Sequence, residues 1–271
     1  MPVDHYENFP VASILLPRRL RHPVETIYRF ARQADDFADE GNISDQERLD
    51  RLNEFRAGLE RIARQETPQA ALFTDLAVVV HHHHLPLQLF HDLLDAFTQD
   101  VVKKRYANFA ELQDYCRRSA NPVGRLLLQL YDAATPVNLA YSDAICTALQ
   151  LINFWQDVAR DYAMGRIYLP QDEMAQFGVT EEHIAVGRVD AAWQQLMQFQ
   201  VRRARALMRN GAPLGTLLSG RIALEMRLII AGGNRILDKL EAAQFDMFQR
   251  RPRLRPLDWG IMLAKSAPFR F

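Results

Sequence analysis

The sequence predicts an all-α protein, and two features of the 271-residue chain support that fold class. Apolar residues recur with the 3.6-residue period of a helix over long stretches, whereas the alternation typical of strands is missing. The 12 glycines and 13 prolines fall mainly between those periodic stretches. Hydrophobic residues make up 48% of the chain, enough for one large core or two small ones. Because no linker composition interrupts it, residues 1–271 are predicted to form one domain.

The N-terminal half divides into helices at its glycine, proline and capping residues. A first helix is predicted from about Pro23 to Glu40, where Gly41 ends it. Ser44 and Glu47 have the spacing of a capping box and predict a second helix toward Arg64. Later boundaries predict three more helical segments: Thr67 to the histidines at 81–84, Leu87 to Val102, and Phe109 to Ala134 with a kink or break at Pro122.

The C-terminal half is predicted to begin with a long central helix, from about Leu139 to Met164. A turn at Gly165–Pro170 follows it. The remaining predicted segments are a short helix after Thr180, an amphipathic helix from Asp190 to Asn210, a long helical segment from Pro213 to Phe248 interrupted at Gly232-Gly233, and a basic, Pro-rich tail from Arg250 to Arg255.

A line of polar residues, here called the second acidic row, lies within the central helix. Asn153, Asp157 and Asp161 are four residues apart, so they share one helical face, and Gln150 joins them. Their neighbours, such as Phe154, are core-type residues. Adjacent carboxylates raise each other's pKa and burial raises it further, so a cation is expected between them. The oxygen-only donors favour a hard ion such as Mg²⁺.

The first predicted helix carries a similar line, here called the first acidic row. Tyr28, Arg32, Asp35 and Asp39 recur at helical spacing and share one face. Taken alone, the Asp35 and Asp39 pair would be interpreted as a solvated helix end before Gly41. Two rows of matching spacing together favour a metal–diphosphate site, in which several Mg²⁺ ions bridge a diphosphate and Arg32 donates to the same phosphate.

Composition and missing motifs argue against several other function classes. Formal net charge is zero, with 33 basic and 33 acidic residues, so no global field attracts nucleic acid. Phosphate-binding and dinucleotide-binding glycine loops are absent, so an NADPH-dependent step is not supported. Met1–Phe9 lacks a signal-peptide core and no apolar run reaches the roughly 18 residues of a membrane helix. Cys116 and Cys146 are interpreted as reduced thiols. We therefore expect a cytoplasmic protein with at most peripheral contact to the inner face of a membrane.

Four further features favour structural interpretations over binding roles. The histidines at 81–84 spread around a helix and cannot all face one ion, so an exposed helix end is favoured. The basic cluster at 103–105 is interpreted as solvated. The tail at 250–253 could contact anionic lipid heads, but an exposed tail explains it equally well. Four aromatic residues are assigned to the core, although a subset could line an apolar substrate tunnel: Phe30, Phe37, Phe154 and Trp155.

The two rows resemble the motifs of the squalene/phytoene synthase family, the head-to-head trans-isoprenyl diphosphate synthases. The segment Tyr28-x-x-x-Arg32-x-x-Asp35-Asp36-x-x-Asp39 is similar to the first aspartate-rich motif of that family. The second motif resembles Gln150-x-x-Asn153-x-x-x-Asp157-x-x-x-Asp161, and the loop after it resembles Gly165–Pro170. The resemblance covers essentially the whole chain. It implies the isoprenoid-synthase helical fold, in which facing aspartate helices lie at the mouth of a central apolar cavity.

The resemblance adds residue roles to those suggested by the spacing. It places an N-terminal substrate-contacting segment at His5, Asn8 and Phe9, and a diphosphate-contacting arginine near Arg250. The predicted catalytic and metal-binding residues are Asp35, Asp39, Asn153, Asp157 and Asp161. The predicted substrate-binding residues are Tyr28, Arg32, Gln150, Asn153, His5, Asn8, Phe9, Arg166 and Arg250.

Within the family, the segments 4–13 and 121–124 are most similar to the bacterial branch that converts presqualene diphosphate to hydroxysqualene, on the way to squalene and hopanoids. Squalene and dehydrosqualene synthases have a tyrosine just before an Ala-Gly-x-Val-Gly segment. Here the nearest positions are Arg117 and Arg118, and Asn121 replaces the first glycine. That tyrosine is thought to assist cyclopropane formation, which an enzyme starting from the finished cyclopropane would not need. Gly233 stands where some relatives have a C-terminal tyrosine.

The reaction expected from this resemblance is a magnesium-dependent carbon–oxygen lyase reaction. Presqualene diphosphate would ionise, rearrange in an apolar cavity and capture water, giving hydroxysqualene and diphosphate. Whether a presqualene diphosphate synthase hands over the substrate stays open. One alternative is a condensing transferase that makes presqualene diphosphate, dehydrosqualene or phytoene from two prenyl diphosphates. Another is a non-catalytic assembly factor with the same fold, in which the metal aspartates would be expected to be lost.

Overall fold

The structure, a computed structural model, describes residues 16–67 and 70–266 of the chain. Within these ranges the secondary structure is helical apart from an isolated parallel bridge between Arg105 and Ile167. The all-α prediction is therefore confirmed. The helices are α1 (Arg18–Asp39), α2 (Asp45–Ala63), α3 (Ala71–His83), α4 (Leu87–Val102), α5 (Phe109–Ser119), α6 (Asn121–Leu130), α7 (Pro136–Ala163), α8 (Gln171–Gln176), α9 (Glu181–Ala185), α10 (Ala191–Gly211), α11 (Leu214–Leu217), α12 (Gly220–Ala242) and α13 (Pro256–Ser266).

Local sequence signals explain several of these boundaries. The Ser44 hydroxyl accepts a hydrogen bond from the Glu47 amide at 3.2 Å, as expected of the residue that caps α2. Pro122 lies in the first turn of α6, where its missing N–H has no helical partner to lose, so the helix breaks just before it. By contrast, α1 begins earlier than predicted and includes Pro23. Leu20, Pro23 and Val24 are buried, so packing against the core stabilises the first part of the helix despite the proline.

The predicted interruption at Gly232-Gly233 is wrong, because α12 is continuous from Gly220 to Ala242. Both glycines are buried, and they allow other side chains to approach the helix backbone closely. A Cβ atom on Gly233 would lie only 2.6 Å from the Met208 Cε atom. The close packing that the missing side chain permits outweighs the modest helix-breaking tendency of glycine. The helix break lies instead at Gly220, which has a φ of +62°.

Contacts divide the chain into two compact units. The N-terminal unit comprises the described chain up to Lys103 together with Arg117–Leu139. In it, α1 packs on α2, α3, α4 and α6. Phe30 is fully buried at the centre of this unit, and its ring lies 5.3–6.0 Å from three others: Phe55, Phe73 and Phe90. The rings tie α1 to α2, α3 and α4, so the helix that carries the first acidic row has a rigid base.

The C-terminal unit comprises Lys104–Cys116 and the described chain from Ala140 onward. In this unit α12 packs on α10, α11 and α13. Trp193 is fully buried and its indole N–H donates to the Phe245 carbonyl at 2.9 Å. A second buried network joins Glu173 to Gln200 and Arg203, with distances of 2.5–2.9 Å. These contacts join α10 to α8 and to the chain after α12. The single-domain assignment stays a prediction.

The structure describes the surroundings of the two cysteines and of the histidines at 81–84. Cys116 is buried and Cys146 is half-buried, and both are free thiols; burial raises the pKa of the Cys116 thiol. The histidines at 81–83 form the last turn of α3, and His84 ends it in the left-handed conformation. Among residues 16–67 and 70–266, no helix combines the length and apolar character needed to cross a bilayer. Residues 1–15, 68–69 and 267–271 lie outside the described residues.

Candidate active site

The first acidic row lies on one face of α1, and its charges partly neutralise one another within the helix. The Arg32 guanidinium lies 3.4 Å from Asp35, 2.6 Å from Asp36 and 3.0 Å from Glu40. Burial disfavours the charged guanidinium, but the three carboxylates outweigh it and raise the pKa of Arg32. Tyr28, Asp35 and Asp39 are half-buried on the same stretch of the helix.

Asp35 carries the clearest electrostatic anomaly of this row. Burial, and next to it the charge of Asp39, raise the pKa of Asp35 to about 7, against the pull of Arg32 in the other direction. Asp100, a buried carboxylate of α4, adds to the repulsion. A carboxyl group held in this state favours a bound cation. The sequence interpretation missed Asp100, although an Asp followed directly by Val101 and Val102 in a predicted helix could have drawn attention to it.

The second acidic row lies on α7 where that helix is most deeply buried. Trp155 is fully buried, and Leu151, Ile152, Phe154 and Val158 are also in the core. Four polar residues of the same stretch are half-buried, as the helical spacing predicts: Gln150, Asn153, Asp157 and Asp161. The apolar neighbours hold the helix in place, while the row itself keeps access to solvent or ligand.

Asp157 is held by an arginine from a remote part of the chain. The Arg251 Nε atom donates to Asp157 Oδ1 at 2.6 Å, and its Nη2 atom donates to Oδ2 at 2.9 Å. This two-pronged geometry matches the planar guanidinium fork to the carboxylate. A second arginine, Arg160, is 3.8 Å from the same carboxylate and its side chain is 69% exposed. Arg251 is therefore the principal partner of Asp157.

The loop after α7 packs beside the C-terminal end of the second acidic row. The Arg166 amide donates to the Asp161 carbonyl at 2.8 Å, and Ile167 forms the isolated bridge with Arg105. Tyr168 stacks on Phe154, with ring centroids 3.8 Å apart and planes at 9°. Side chains of α7 and this loop line a small cavity with about 180 Å³ of empty space, part of it open to solvent: Phe154, Trp155, Val158, Asp161, Arg166, Ile167, Tyr168 and Leu169.

The predicted site residues that the structure describes lie in two groups and at one separate position. The α1 residues of the first acidic row lie together in the N-terminal unit, and those of the second acidic row lie together with Arg166 in the C-terminal unit. His5, Asn8 and Phe9 lie outside the described residues. Arg250 is exposed, whereas the adjacent Arg251 contacts Asp157. No signal in the sequence separates these two arginines, because both belong to one basic tail.

The donor chemistry of the two rows fits Mg²⁺. Each row offers two carboxylates at four-residue spacing, and the second adds the Asn153 amide oxygen. Within the described part of the chain, no group of three or more His, Cys, Asp or Glu side chains is arranged to hold a metal ion by itself. Mg²⁺ is usually bound through one or two carboxylates plus substrate phosphates and water. Burial and the charge of Asp39 raise the pKa of Asp35, so a nearby positive charge would stabilise its ionised form.

The fold, the two acidic rows and the loop after α7 define a member of the squalene/phytoene synthase family, and the family model matches residues 3–258 of this chain. The chain belongs to this family. It is 34% identical to the hydroxysqualene synthase of Rhodopseudomonas palustris over 94% of this chain and 86% of that protein. Its structure resembles that of the squalene synthase HpnC of Alicyclobacillus acidocaldarius, with a TM-score of 0.82, 36% identity, and coverage of 89% and 90% of the two chains. It is also 30% identical to phytoene synthase 1 of Arabidopsis thaliana, over 92% of this chain and 60% of that protein.

Proposed function

We propose that this protein is a hydroxysqualene synthase, which ionises presqualene diphosphate with Mg²⁺ and captures the rearranged cation with water. The observation that carries the proposal is the second acidic row, with its carboxylates on a helix face bordered by buried apolar residues. With Mg²⁺ bound, that face would stabilise the negative charge that develops on the departing diphosphate, while the adjacent apolar side chains exclude water. The similarity to relatives named hydroxysqualene synthase, over most of the chain, supports this choice of substrate.

The residues proposed to hold Mg²⁺ are Asp35, Asp39, Asn153, Asp157 and Asp161. When bound, the metal ions would neutralise the charge that develops on the departing diphosphate. Arg32 is proposed to donate to the same phosphate oxygens, with Arg166, His5 and Arg250 as further donors. The remaining polar residues, Tyr28 and Gln150, are proposed to position the diphosphate, and Asn8 and Phe9 the substrate chain.

The proposed reaction conserves atoms and charge without a redox cofactor. The C–O bond to the diphosphate breaks and its electron pair leaves with the diphosphate. The resulting cyclopropylcarbinyl cation rearranges among apolar side chains. Because these side chains exclude water, the cation is not converted to an alcohol before it has rearranged. One water molecule then adds to the cation and loses a proton, which gives hydroxysqualene and diphosphate. No NADPH is required, in agreement with the missing dinucleotide fingerprint.

The proposal includes the source of the substrate. An enzyme that begins with the finished cyclopropane depends on a separate presqualene diphosphate synthase, so we propose hand-over from such an enzyme. The positions just before the Ala120-to-Gly124 segment support this division of labour. They hold Arg117 and Arg118 in place of a tyrosine, and the Arg118 guanidinium donates to Gln99 at 2.6 Å. Location in the cytoplasm, with at most peripheral contact to the inner face of a membrane, stays a prediction.

The rival function is a condensing synthase that joins two prenyl diphosphates, and the similarity to phytoene synthases favours it as the second candidate. Product analysis with Mg²⁺ separates the two functions. We expect turnover of presqualene diphosphate to hydroxysqualene and no product from farnesyl diphosphate or geranylgeranyl diphosphate alone. Presqualene diphosphate, dehydrosqualene or phytoene formed from either of those substrates would instead establish the condensing function.

A non-catalytic assembly factor is the third candidate. We expect the protein to bind Mg²⁺ and inorganic pyrophosphate together, measured by calorimetry with each ligand alone as the control. Failure to bind the two together, combined with no product from any of the three substrates, would support the assembly factor and end the enzymatic proposal.

A further inference from the structure

The contact between Arg251 and Asp157 occupies a carboxylate that the proposed function assigns to Mg²⁺. Both Asp157 oxygens are engaged, one by the Nε atom and one by the Nη2 atom of the guanidinium. A metal ion that took Asp157 as a ligand would therefore compete with the guanidinium for the same negative charge. This contact joins residues 94 positions apart in the sequence, so it is a product of the fold rather than of helical spacing.

The degree of burial makes simple release of the arginine costly. The Arg251 and Asp157 side chains are only 15% and 22% exposed. Removing one partner of a poorly solvated ion pair leaves an uncompensated charge, which is strongly destabilising. Exchange of one cation for another avoids that state, because the carboxylate keeps a counter-charge throughout. The surroundings of Asp157 therefore favour a coupled exchange over independent opening.

The backbone beside Arg251 is fixed, which limits the movement to the arginine side chain. The buried Gln156 side chain donates to the Pro252 carbonyl at 2.8 Å. The Lys239 ammonium donates to the Arg253 carbonyl at 2.7 Å. These bonds hold the segment against α7 and α12 immediately after Arg251. The long, flexible arginine stem can move the guanidinium away from Asp157 without breaking them.

We infer that Arg251 is a placeholder cation: it holds the Asp157 carboxylate in the metal-free protein and must leave it when Mg²⁺ binds there. This inference rests on the proposed magnesium-dependent function. It has a reciprocal consequence, because two ligands that compete for one group weaken each other's binding by the same factor. Removing the guanidinium should strengthen metal binding, and adding metal should release the guanidinium.

The first test is metal binding without substrate, with Mn²⁺ as a paramagnetic probe followed by electron paramagnetic resonance. Arg251→Ala should bind Mn²⁺ about five- to a hundredfold more tightly than the wild type, the usual range of such coupling. Arg251→Lys keeps a charge but loses the two-pronged contact, so it should bind with intermediate affinity. In a protein that already carries Asp157→Asn, adding Arg251→Ala should not increase the affinity for Mn²⁺. Arg253→Ala removes an exposed arginine of the same segment and is the matched control.

The second test follows the arginine itself by ¹⁵N NMR. In the metal-free protein, the Nε–H signal of Arg251, assigned by its loss in Arg251→Lys, should show the protected character of a bonded guanidinium. Addition of Mg²⁺ with inorganic pyrophosphate should abolish that protection. Circular dichroism of each variant establishes that it is folded, and Arg251→Lys provides the readout if Arg251→Ala does not fold.

The outcomes separate this inference from the proposed function. If the wild type binds Mn²⁺ with pyrophosphate, but Arg251→Ala binds Mn²⁺ alone no more tightly than the wild type, the placeholder role is wrong and the function stands. Unchanged protection of the Arg251 signal in the metal-loaded protein would overturn it as well. If the wild type binds no metal even with pyrophosphate, both the proposed function and the inference fail.

Discussion

The two acidic rows have the same spacing in the sequence but different electrostatic environments in the structure. In the first acidic row, the partner of the carboxylates is Arg32 of the same helix, and the pKa of Asp35 is raised to about 7 by burial and by Asp39. In the second acidic row, Asp157 is paired with Arg251, which comes from the C-terminal tail. The carboxylates of the first acidic row are therefore compensated from within their own helix, whereas the central carboxylate of the second acidic row is neutralised by a distant residue.

This difference shows that the spacing of the carboxylates and the availability of each carboxylate for a metal ion are separate properties. A four-residue spacing places carboxylates on one helical face, but it does not determine which cation compensates them in the metal-free protein. We expect the first acidic row to gain stability from any bound cation. In the second acidic row a bound metal ion has to replace an existing partner of Asp157. Variants of the two rows test this contrast, from the largest expected effect to the smallest.

The largest effect is expected on turnover, where the rows should behave alike. Asp35→Asn and Asp157→Asn should each lower the turnover of presqualene diphosphate about a thousandfold, because each removes a charge that holds the metal against the departing diphosphate. Steady-state assays with Mg²⁺ measure the effect. Asp50→Asn, an exposed carboxylate of α2, should retain wild-type turnover. Wild-type turnover in either row variant would remove that residue from the metal site.

A structural carboxylate provides a reference for both rows. Asp258 is 2% exposed, and it bonds to the Arg235 guanidinium, the Lys239 ammonium and the Arg255 amide. Burial alone would raise its pKa, but these three donors lower the pKa of Asp258 to about 2. Because the folded-state pKa is below the unfolded value of 3.8, the stabilisation is complete above pH 4 and is lost as pH falls toward 2.

Replacing this reference carboxylate should therefore have a pH-dependent cost. Asp258→Asn should lower the free energy of unfolding by about 2 kcal/mol at pH 7, and the difference from the wild type should shrink between pH 4 and pH 2. Urea unfolding at pH 7, 4 and 3 measures it. A difference that stays constant down to pH 3 would show that packing, rather than the charge of Asp258, is responsible.

Charge removal should have opposite effects on the stability of the two rows in the metal-free protein. At pH 8 in EDTA, Asp35→Asn should raise the free energy of unfolding by about 1 kcal/mol, since it relieves repulsion that is partly screened by solvent. Asp157→Asn should lower it by about 1–2 kcal/mol, because Arg251 loses a charged partner. Chemical unfolding of both variants at one ionic strength measures these changes. Equal signs for the two variants would break the comparison between the rows.

The elements that the sequence predicts well are those governed by local signals. Helical periodicity and the Ser44 cap predict α2, and the spacing of Asn153, Asp157 and Asp161 correctly predicts a polar face on a buried helix. The error at Gly232-Gly233 has a tertiary cause, because close packing of Met208 on the helix decides the outcome there. Local residue preference carries no information on such a contact.

The details of the candidate site are harder to predict because they depend on remote partners. The contact between Arg251 and Asp157 was not predicted, because the sequence shows only a basic tail there, and the diphosphate-contacting role of Arg250 stays a prediction. In a tail without regular secondary structure, no periodicity indicates which of two adjacent side chains points inward. Asp100 is a similar case, since its effect on Asp35 depends on the packing of α4 beside α1.

The smallest expected effect concerns the second arginine beside Asp157. Arg160 is 3.8 Å from the carboxylate, one helical turn away, and its side chain is 69% exposed. Arg160→Gln should therefore change the free energy of unfolding by less than about 0.5 kcal/mol, the usual value of an exposed helical ion pair, and the change should vanish in 1 M salt.

Urea unfolding at low and high salt measures this change, with Arg251→Gln as the matched variant on the same carboxylate. Because the Arg251 side chain is poorly solvated, its contribution should be several times larger and should largely persist in high salt. Equal losses for the two arginines would mean that Asp157 is neutralised by its own helix, as in the first acidic row, and that the contrast between the rows does not hold.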